Sequence, residues 1–449
     1  MRIFVFILVV GFQLSAFAAT KYADFTNGDN GNAGTIGSPY KDFRYACTQI
    51  SGGDTLYLRA STYPCYVSEF FSGDIPSGTP GNPTIISGYP GEVAIYKPDI
   101  LGHALPFTDR SNIVIQSFSI DMGLLASRDC IKLTTTGVQT GHGFVISNMF
   151  LYNTKQGHGF HTSGLLSVSN AAIVTSCTIS NIGFDPLADG PFHNTYIQDS
   201  NVTVEKCRLI GRNNVQGGGW GVHLFNSDVT NVVISGNFMT NCINGGVLCA
   251  AGGPGGILVY NNILVGNGAG VEVRAGTQLV YILNNTFYTN GNHINLLEAV
   301  TNIWVENNIF AGSYSAWGMR IYAPASTISV KNNLGYGSYY LGDRYWDYFT
   351  NGTPINVTLS GNLFGKTQWL TNDIYNANFV NQSASNFRLN LGSPAIGAGL
   401  TQTAFITSYA DETRTAPWDM GAYKFNSGLV APVFNVSGNV YVQNLRLGQ

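Results

Sequence analysis

A motif of alternating apolar residues, a corner that usually holds Asn, and two or three further apolar residues recurs nine times along this chain. The instances are VISNMFL (145–151), VTSCTIS (174–180), VEKCRLI (204–210), ISGNFMT (234–240), VYNNILV (259–265), ILNNTFY (282–288), VENNIFA (305–311), VKNNLGY (330–336) and LSGNLFG (359–365). Their fourth residues are Asn148, Cys177, Cys207, Asn237, Asn262, Asn285, Asn308, Asn333 and Asn362, at intervals of 29, 30, 30, 25, 23, 23, 25 and 29. A repeat this short excludes a propeller blade, and the segments lack the leucine pattern of a horseshoe. It suits one coil of three short strands and their turns, stacked on the next. Asn fits the corner for two reasons. It tolerates the left-handed backbone conformation, and its amide can hydrogen-bond from coil to coil. Cys177 and Cys207 replace it in neighbouring coils, where a small apolar ladder is expected and not a disulfide.

A second strand precedes each corner, as in GVHLF (221–225), GVEVR (270–274), HINLL (293–297) and GMRIY (318–322). Period-two alternation turns Val222/Leu224, Val271/Val273, Ile294/Leu296 and Met319/Ile321 inward, so the residues between them face out. Composition agrees with short strands and polar corners. Only 10% of residues are charged, against about 25% in ordinary globular chains, and there are 54 Gly. The expected fold is all-β: one domain, a parallel β-helix of about ten coils. Its parts are a cap with the first coils (19–100), a core (101–388), a closing segment (389–426) and an unassigned tail (427–449).

Residues 1–18 carry Arg2, the apolar run Ile3–Val10 and the exit Ala16-Phe17-Ala18, the layout of a secretory signal peptide. Export to the periplasm, cell surface or medium is expected, as a monomer with no membrane span. A net charge of −3 offers nucleic acid no basic face. The seven cysteines cannot all pair. In an exported chain Cys47–Cys65 and Cys242–Cys249 are the disulfide candidates nearest in sequence, and no zinc spacing occurs.

The stretches YADFTNGDNGNAGTIGSPYKDFRYA (22–46), GGDTLYLRASTY (52–63) and SGTPGNPTIISGYPGE (77–92) resemble the opening of bacterial secreted β-helix proteins of the pectate-lyase superfamily. LNLGSPAIGAG (389–399) and DETRTAPWDMGAYKF (411–425) resemble the segment that closes them. The resemblance implies a right-handed helix with protected ends and a polysaccharide as partner.

Stacking the coils aligns His161, Tyr196, His223, Leu248, Glu272, Asn295 and Arg320 in one outward column, beside Gln198, Phe225, Ala250, Arg274, Leu297 and Tyr322. The segments KQGHGFH (155–161), NIGFDPLADGPFHNTYI (181–197) and GGGWGVHLF (217–225) add Lys155, His158, Asp185, Asp189, His193 and Trp220. An extended groove lined by Trp220, Phe225, Tyr196 and Tyr322 suits sugar rings, with Glu272, Arg274 and Arg320 as further binding residues. In β-elimination on a uronic acid, His161, His193 or His223 would be the base and Tyr196 the acid. Lys155, Arg274 or Arg320 would neutralise the substrate carboxylate. In hydrolysis, Asp185 and Asp189 would flank the bond. Elimination is favoured. Gly-Phe-Asp-Pro (183–186) is similar to the catalytic segment of mannuronan epimerases, with Leu187 where that family has His. Calcium is a candidate ion, although Asp185, Asp189 and Asp199 form no recognisable loop motif, and the run 27–32 is either a structural ion site or a turn. A passive adhesion or carbohydrate-binding β-helix is the non-enzymatic alternative.

Overall fold

Inward Val, Ile and Leu at every second position, broken by Gly and Asn corners, leave the chain little choice but short strands stacked in register. The computed structural model describes residues 18–65, 73–98, 102–123, 128–137, 141–164, 171–183, 192–212, 219–227, 229–250, 255–274, 276–313, 318–322, 327–338, 346–348, 356–364 and 376–427. The expected signal peptide (1–18), except its last residue, and nearly all of the tail lie outside them. The chain divides into two compact units, 1–225 and 226–449.

Each unit is a parallel β-helix whose coils contribute one strand to each of three sheets, and among the described residues each contains five complete three-strand coils. In unit 1 the first sheet runs from Thr20–Ala23 to Val202–Glu205, and the third holds Leu105–Thr108, Ile131–Thr134, Phe160–Ser163, Thr195–Ile197 and Trp220–Phe225. The single short α-helix among the described residues, Phe43–Thr48, is N-capped by Asp42. It turns Phe43 edge-on to Tyr63, Tyr96 and Phe118. The inward set expected from alternation is buried throughout: Val222, Leu224, Val271, Val273, Ile294, Leu296, Met319 and Ile321. Each such side chain contributes roughly 1.5–3 kcal/mol.

The corners split between two residues the jobs that the repeat had assigned to one. The left-handed position is the residue before the ladder: Asn148, Ser176 and Lys206 in unit 1, and Gly236, Asn261, Asn284, Asn307, Asn332 and Gly361 in unit 2, all at φ between 49° and 63°. The inward ladder is Met149, Cys177 and Cys207 in unit 1, as the pairing of Phe150 with Thr178 and of Thr178 with Arg208 requires. Asn148 is therefore a turn residue, one place before the ladder. In unit 2 the ladder is Asn237, Asn262, Asn285, Asn308, Asn333 and Asn362. Each backbone N–H and side-chain amide up to Asn333 donates to the next Oδ1 at 2.9–3.1 Å. A second ladder, Cys242–Asn267–Asn290, lines another corner of unit 2.

The free left-handed Asn side chains hold the closing segment. Asn332, Asn307, Asn284 and Asn261 donate to the carbonyls of Ala398, Leu400, Asp419 and Thr407. Residues 389–426, expected as an end cap, thus lie along the side of unit 2 across four coils. Their apolar residues cover the outer face of the second sheet there, where Ile263, Ile309 and Leu334 are buried. The equivalent outer positions of unit 1, Phe150, Thr178 and Arg208, are not buried. The expected disulfides are absent: all seven cysteines are buried thiols. Cys242 is held at its corner by the Asn267 ladder, while Cys249 lies within the strand Gly245–Ala250. Cys177 N–H donates to Cys207 Sγ, the apolar ladder the sequence called for.

Candidate functional site

The third sheet of unit 1 aligns Leu105, Ile131, Phe160, Thr195 and Val222. Two residues before each stand His103, Asp129, His158, His193 and Trp220. One residue after each stand Pro106, Lys132, His161, Tyr196 and His223. Three residues after the last two stand Gln198 and Phe225. These columns form the candidate site.

The column that precedes the strands is a ladder of its own. Asp129 N–H donates to His103 Nδ1 (3.2 Å), His158 N–H to Asp129 Oδ1 (2.7 Å), His193 N–H to His158 Nδ1 (3.0 Å) and Trp220 N–H to His193 Nδ1 (3.0 Å). Glycine permits the close approach: a Cβ on Gly219 would fall 2.1 Å from Phe192 O and 2.5 Å from His193 Nδ1. Burial lowers the His158 pKa to about 4, with the charges of His161 and Lys132 adding to it. Burial, with His158 and His223 beside it, holds His193 well below the usual imidazole range. Both rings are neutral at neutral pH. Burial alone would raise the Asp129 carboxyl, but the imidazoles of His103 and His161 within hydrogen-bonding distance hold it well below the carboxylate range. His103 Nδ1 can take the Asp129 N–H or give a proton to Oδ2 3.1 Å away, but not both at once. The contact fixed by geometry is therefore His161 Nδ1 to Asp129 Oδ2, at 2.9 Å.

The outward column places Tyr196 among four imidazoles. Its ring centre lies 4.7 Å from His158, 5.0 Å from His161, 5.3 Å from His193 and 5.1 Å from His223. His223 Nδ1 is 2.7 Å from His193 Nε2. Gln198 reaches both His161 Nε2 (3.2 Å) and Tyr196 Oη (3.4 Å). Burial raises the Tyr196 pKa, so the phenol keeps its proton. Phe225, 46% exposed, stacks on Tyr196 with ring centres 6.2 Å apart.

His161, His193, Tyr196 and His223 therefore converge. Lys155 lies on the turn before His158, and Asp185 and Asp189 fall outside the described residues. Trp220 is only 6% exposed. It stands in the ladder column next to His193 and offers no sugar platform, contrary to expectation. Asp129 is the residue that sequence reasoning missed. Stepping back 29 residues from His158, one coil length, would have found it.

Asp129, His158 and His161 bring donor atoms within 4.8 Å of one another. Two imidazoles with one carboxylate do not fit calcium, which takes six to eight oxygens. The Asp129 oxygens and His158 Nδ1 are already engaged with His158 N–H, His161 and His193 N–H. In the 27–32 run, Asp29 accepts from Gly31 N–H and Asn30 from Lys41 and Asp42 N–H, as turn residues do.

In unit 2, Glu272, Asn295 and Arg320 share a register column. Glu272 accepts from Asn295 Nδ2 at 3.1 Å and lies 3.5 Å from Arg274 Nη1. Leu248 and Glu272 are buried, not open to solvent as the outward column implied. Asn295 is 6% exposed, and its Oδ1 has no hydrogen-bond partner among the described residues. The side chain of Tyr322 lies outside them.

The family described as "Right handed beta helix region" matches residues 107–287 and 163–334. No curated protein matches the sequence. Among solved structures, pectate lyase Pel9A is similar at TM-score 0.60 and 15% identity, over 91% of this chain and 96% of that one. The A-module of the mannuronan C-5 epimerase AlgE4 from Azotobacter vinelandii is similar at TM-score 0.55 and 14% identity, over 76% and 95%. XylC in complex with xylose follows at TM-score 0.50 and 9% identity, over 91% and 98%. Identities this low speak to fold alone, and with the matched sequence they place the chain: it belongs to the right-handed beta helix family.

Proposed function

We propose that the chain is an exported polysaccharide-active protein, and that unit 1 cleaves a uronic-acid-containing polysaccharide by β-elimination. The observation that carries this reading is Tyr196 set between His161 and His223, with Asp129 behind His161. Elimination needs a base for the proton next to a carboxylate, a cation or donors for that carboxylate, and an acid for the leaving oxygen. His161 is the base, and the neutral Tyr196 phenol is the acid. Lys132, beside His161 in the column, faces the substrate carboxylate, and Lys155 has the same role. Phe225 stacks on a sugar ring.

Hydrolysis fits less well. It needs two carboxylates about the bond. Asp129, the described carboxylate bound by the cluster's histidines, is 3% exposed and already engaged. The similar structures named as a pectate lyase and a mannuronan epimerase support a uronate polymer as the substrate class. In unit 2, Arg274 and Arg320 bind sugar hydroxyls and carboxylates. Incubation of the full chain with uronate and neutral polysaccharides tests the reading, with ultraviolet absorbance reporting unsaturated ends. Absorbance should rise with a uronate polymer only. Binding without cleavage of any polymer would replace the lyase with a carbohydrate-binding surface protein.

A further inference from the structure

We infer that His161 and His223 hold opposite tautomers, imposed by Asp129 and His193, and that this makes His161 the proton acceptor and His223 a neutral neighbour of Tyr196. The roles rest on the lyase reading above, whereas the tautomers rest on hydrogen bonds alone.

Trp220 N–H can only donate, and it points at His193 Nδ1 from 3.0 Å. That nitrogen must therefore be bare, and the proton of the neutral His193 ring sits on Nε2. His193 Nε2 is 2.7 Å from His223 Nδ1, so Nδ1 is the acceptor and His223 keeps its own proton on Nε2. A proton added to His223 Nδ1 would face the His193 proton directly. His193 thus keeps His223 neutral, with its proton on a buried Nε2.

At His161 the polarity is reversed. A carboxylate only accepts, so the 2.9 Å contact with Asp129 fixes a proton on Nδ1. Nε2 is then the site of exchange, and it faces Gln198. The two ends of that amide interchange by a half-turn. When His161 is neutral, the amide N–H serves Nε2 and the Tyr196 hydroxyl serves the amide oxygen. When His161 is charged, the amide oxygen accepts from it and the amide nitrogen serves Tyr196.

The proton balance closes. The substrate C–H proton passes to His161 Nε2, giving an imidazolium held by Asp129. The electron pair moves into the carboxylate, whose charge Lys132 and Lys155 offset. As the carbon–carbon double bond forms, the glycosidic C–O bond breaks and the leaving oxygen takes the Tyr196 proton. The His161 proton then restores Tyr196. Asp129, His193 and His223 are positioning residues, and His161 and Tyr196 are the catalytic ones.

The test is nitrogen-15 NMR of the full chain labelled on histidine, with rings assigned by H161Q and H223Q. Bare and protonated ring nitrogens differ widely in shift. The expected result is a proton on Nδ1 of His161 and on Nε2 of His193 and His223. A proton on Nδ1 of His223, or His161 bare at Nδ1, overturns the inference. H193Q, whose amide can still accept from Trp220 and donate to His223, should keep the His223 tautomer, whereas H193L should release it. D129N should cut kcat on the order of a thousandfold or more, with KM nearly unchanged, because the wrong tautomer then faces the substrate. If D129N fails to fold, the wild-type spectrum still decides the tautomers. The expected spectrum with no cleavage of any uronate polymer would leave the tautomers standing and overturn the catalytic roles.

Discussion

His193 Nε2 lies 2.7 Å from His223 Nδ1, while the other nitrogen of His193 takes the backbone N–H of Trp220. A buried neutral ring is thereby tied to the fold on one side and to the outward column on the other. The rings of His161 and His223 lie on either side of Tyr196, and this arrangement sets what substitutions should do.

Tyr196→Phe removes the proposed acid and little else, since among the described residues the hydroxyl's hydrogen bond is the 3.4 Å contact with Gln198. Steady-state kinetics should show kcat lower by roughly 10²–10⁴-fold. Denaturant midpoints should stay within about 1 kcal/mol of the parent. Unchanged turnover would remove Tyr196 from the chemistry.

Asn285→Ala breaks the inner ladder at its centre. It strands the Asn262 N–H and side-chain amide, which donate to Asn285 Oδ1, and the Val259 carbonyl, which accepts from Asn285 Nδ2. Buried polar groups left unpaired cost about 1–3 kcal/mol each, so urea unfolding should show a loss of roughly 2–5 kcal/mol. Asn148→Gly, at an exposed left-handed corner, should cost almost nothing.

The ladders also show how much could be read from the chain itself. Period-two alternation located the buried residues, and coil length located the columns, because both follow from backbone geometry. Whether an Asn turned outward at φ > 0 or inward to its ladder could not be told from a repeat beginning with one Asn and continuing with pairs. Asn148 was placed one residue out for that reason. Asp129 stayed hidden because a single carboxylate before an apolar strand looks like any turn residue. Trp220 looked exposed because its ladder neighbour, His193, belongs to the previous coil.

Arg414 tests the closing segment. Its guanidinium donates to Asn261 Oδ1 and to the carbonyls of Asp419, Gly421 and Ala422. Arg414→Met should release residues 398–425 to hydrogen exchange and proteolysis before global unfolding, with a stability loss of roughly 3 kcal/mol. Unaltered exchange in that segment would contradict the docking role.

Stability should fall in acid over a defined range. His158 has a folded pKa of about 4, and an unfolded imidazole titrates near about 6.5. The unfolded state therefore binds the proton first, so the contribution is complete above about pH 6.5 and is lost as pH falls towards about 4. Asp129, held below its unfolded value, extends the loss further into acid. Urea midpoints across this range should decline with pH in the parent and decline less in His158→Gln. A flat profile in the parent would contradict the burial of a neutral ring.

The central claim is that the site cleaves by elimination. Mass spectrometry of products made in heavy-oxygen water tests it most directly, using the uronate polymer that gives the strongest ultraviolet signal. The account predicts unsaturated chain ends with no heavy oxygen incorporated, and their loss in Tyr196→Phe. Saturated products carrying one heavy oxygen per cut would identify a hydrolase and contradict it.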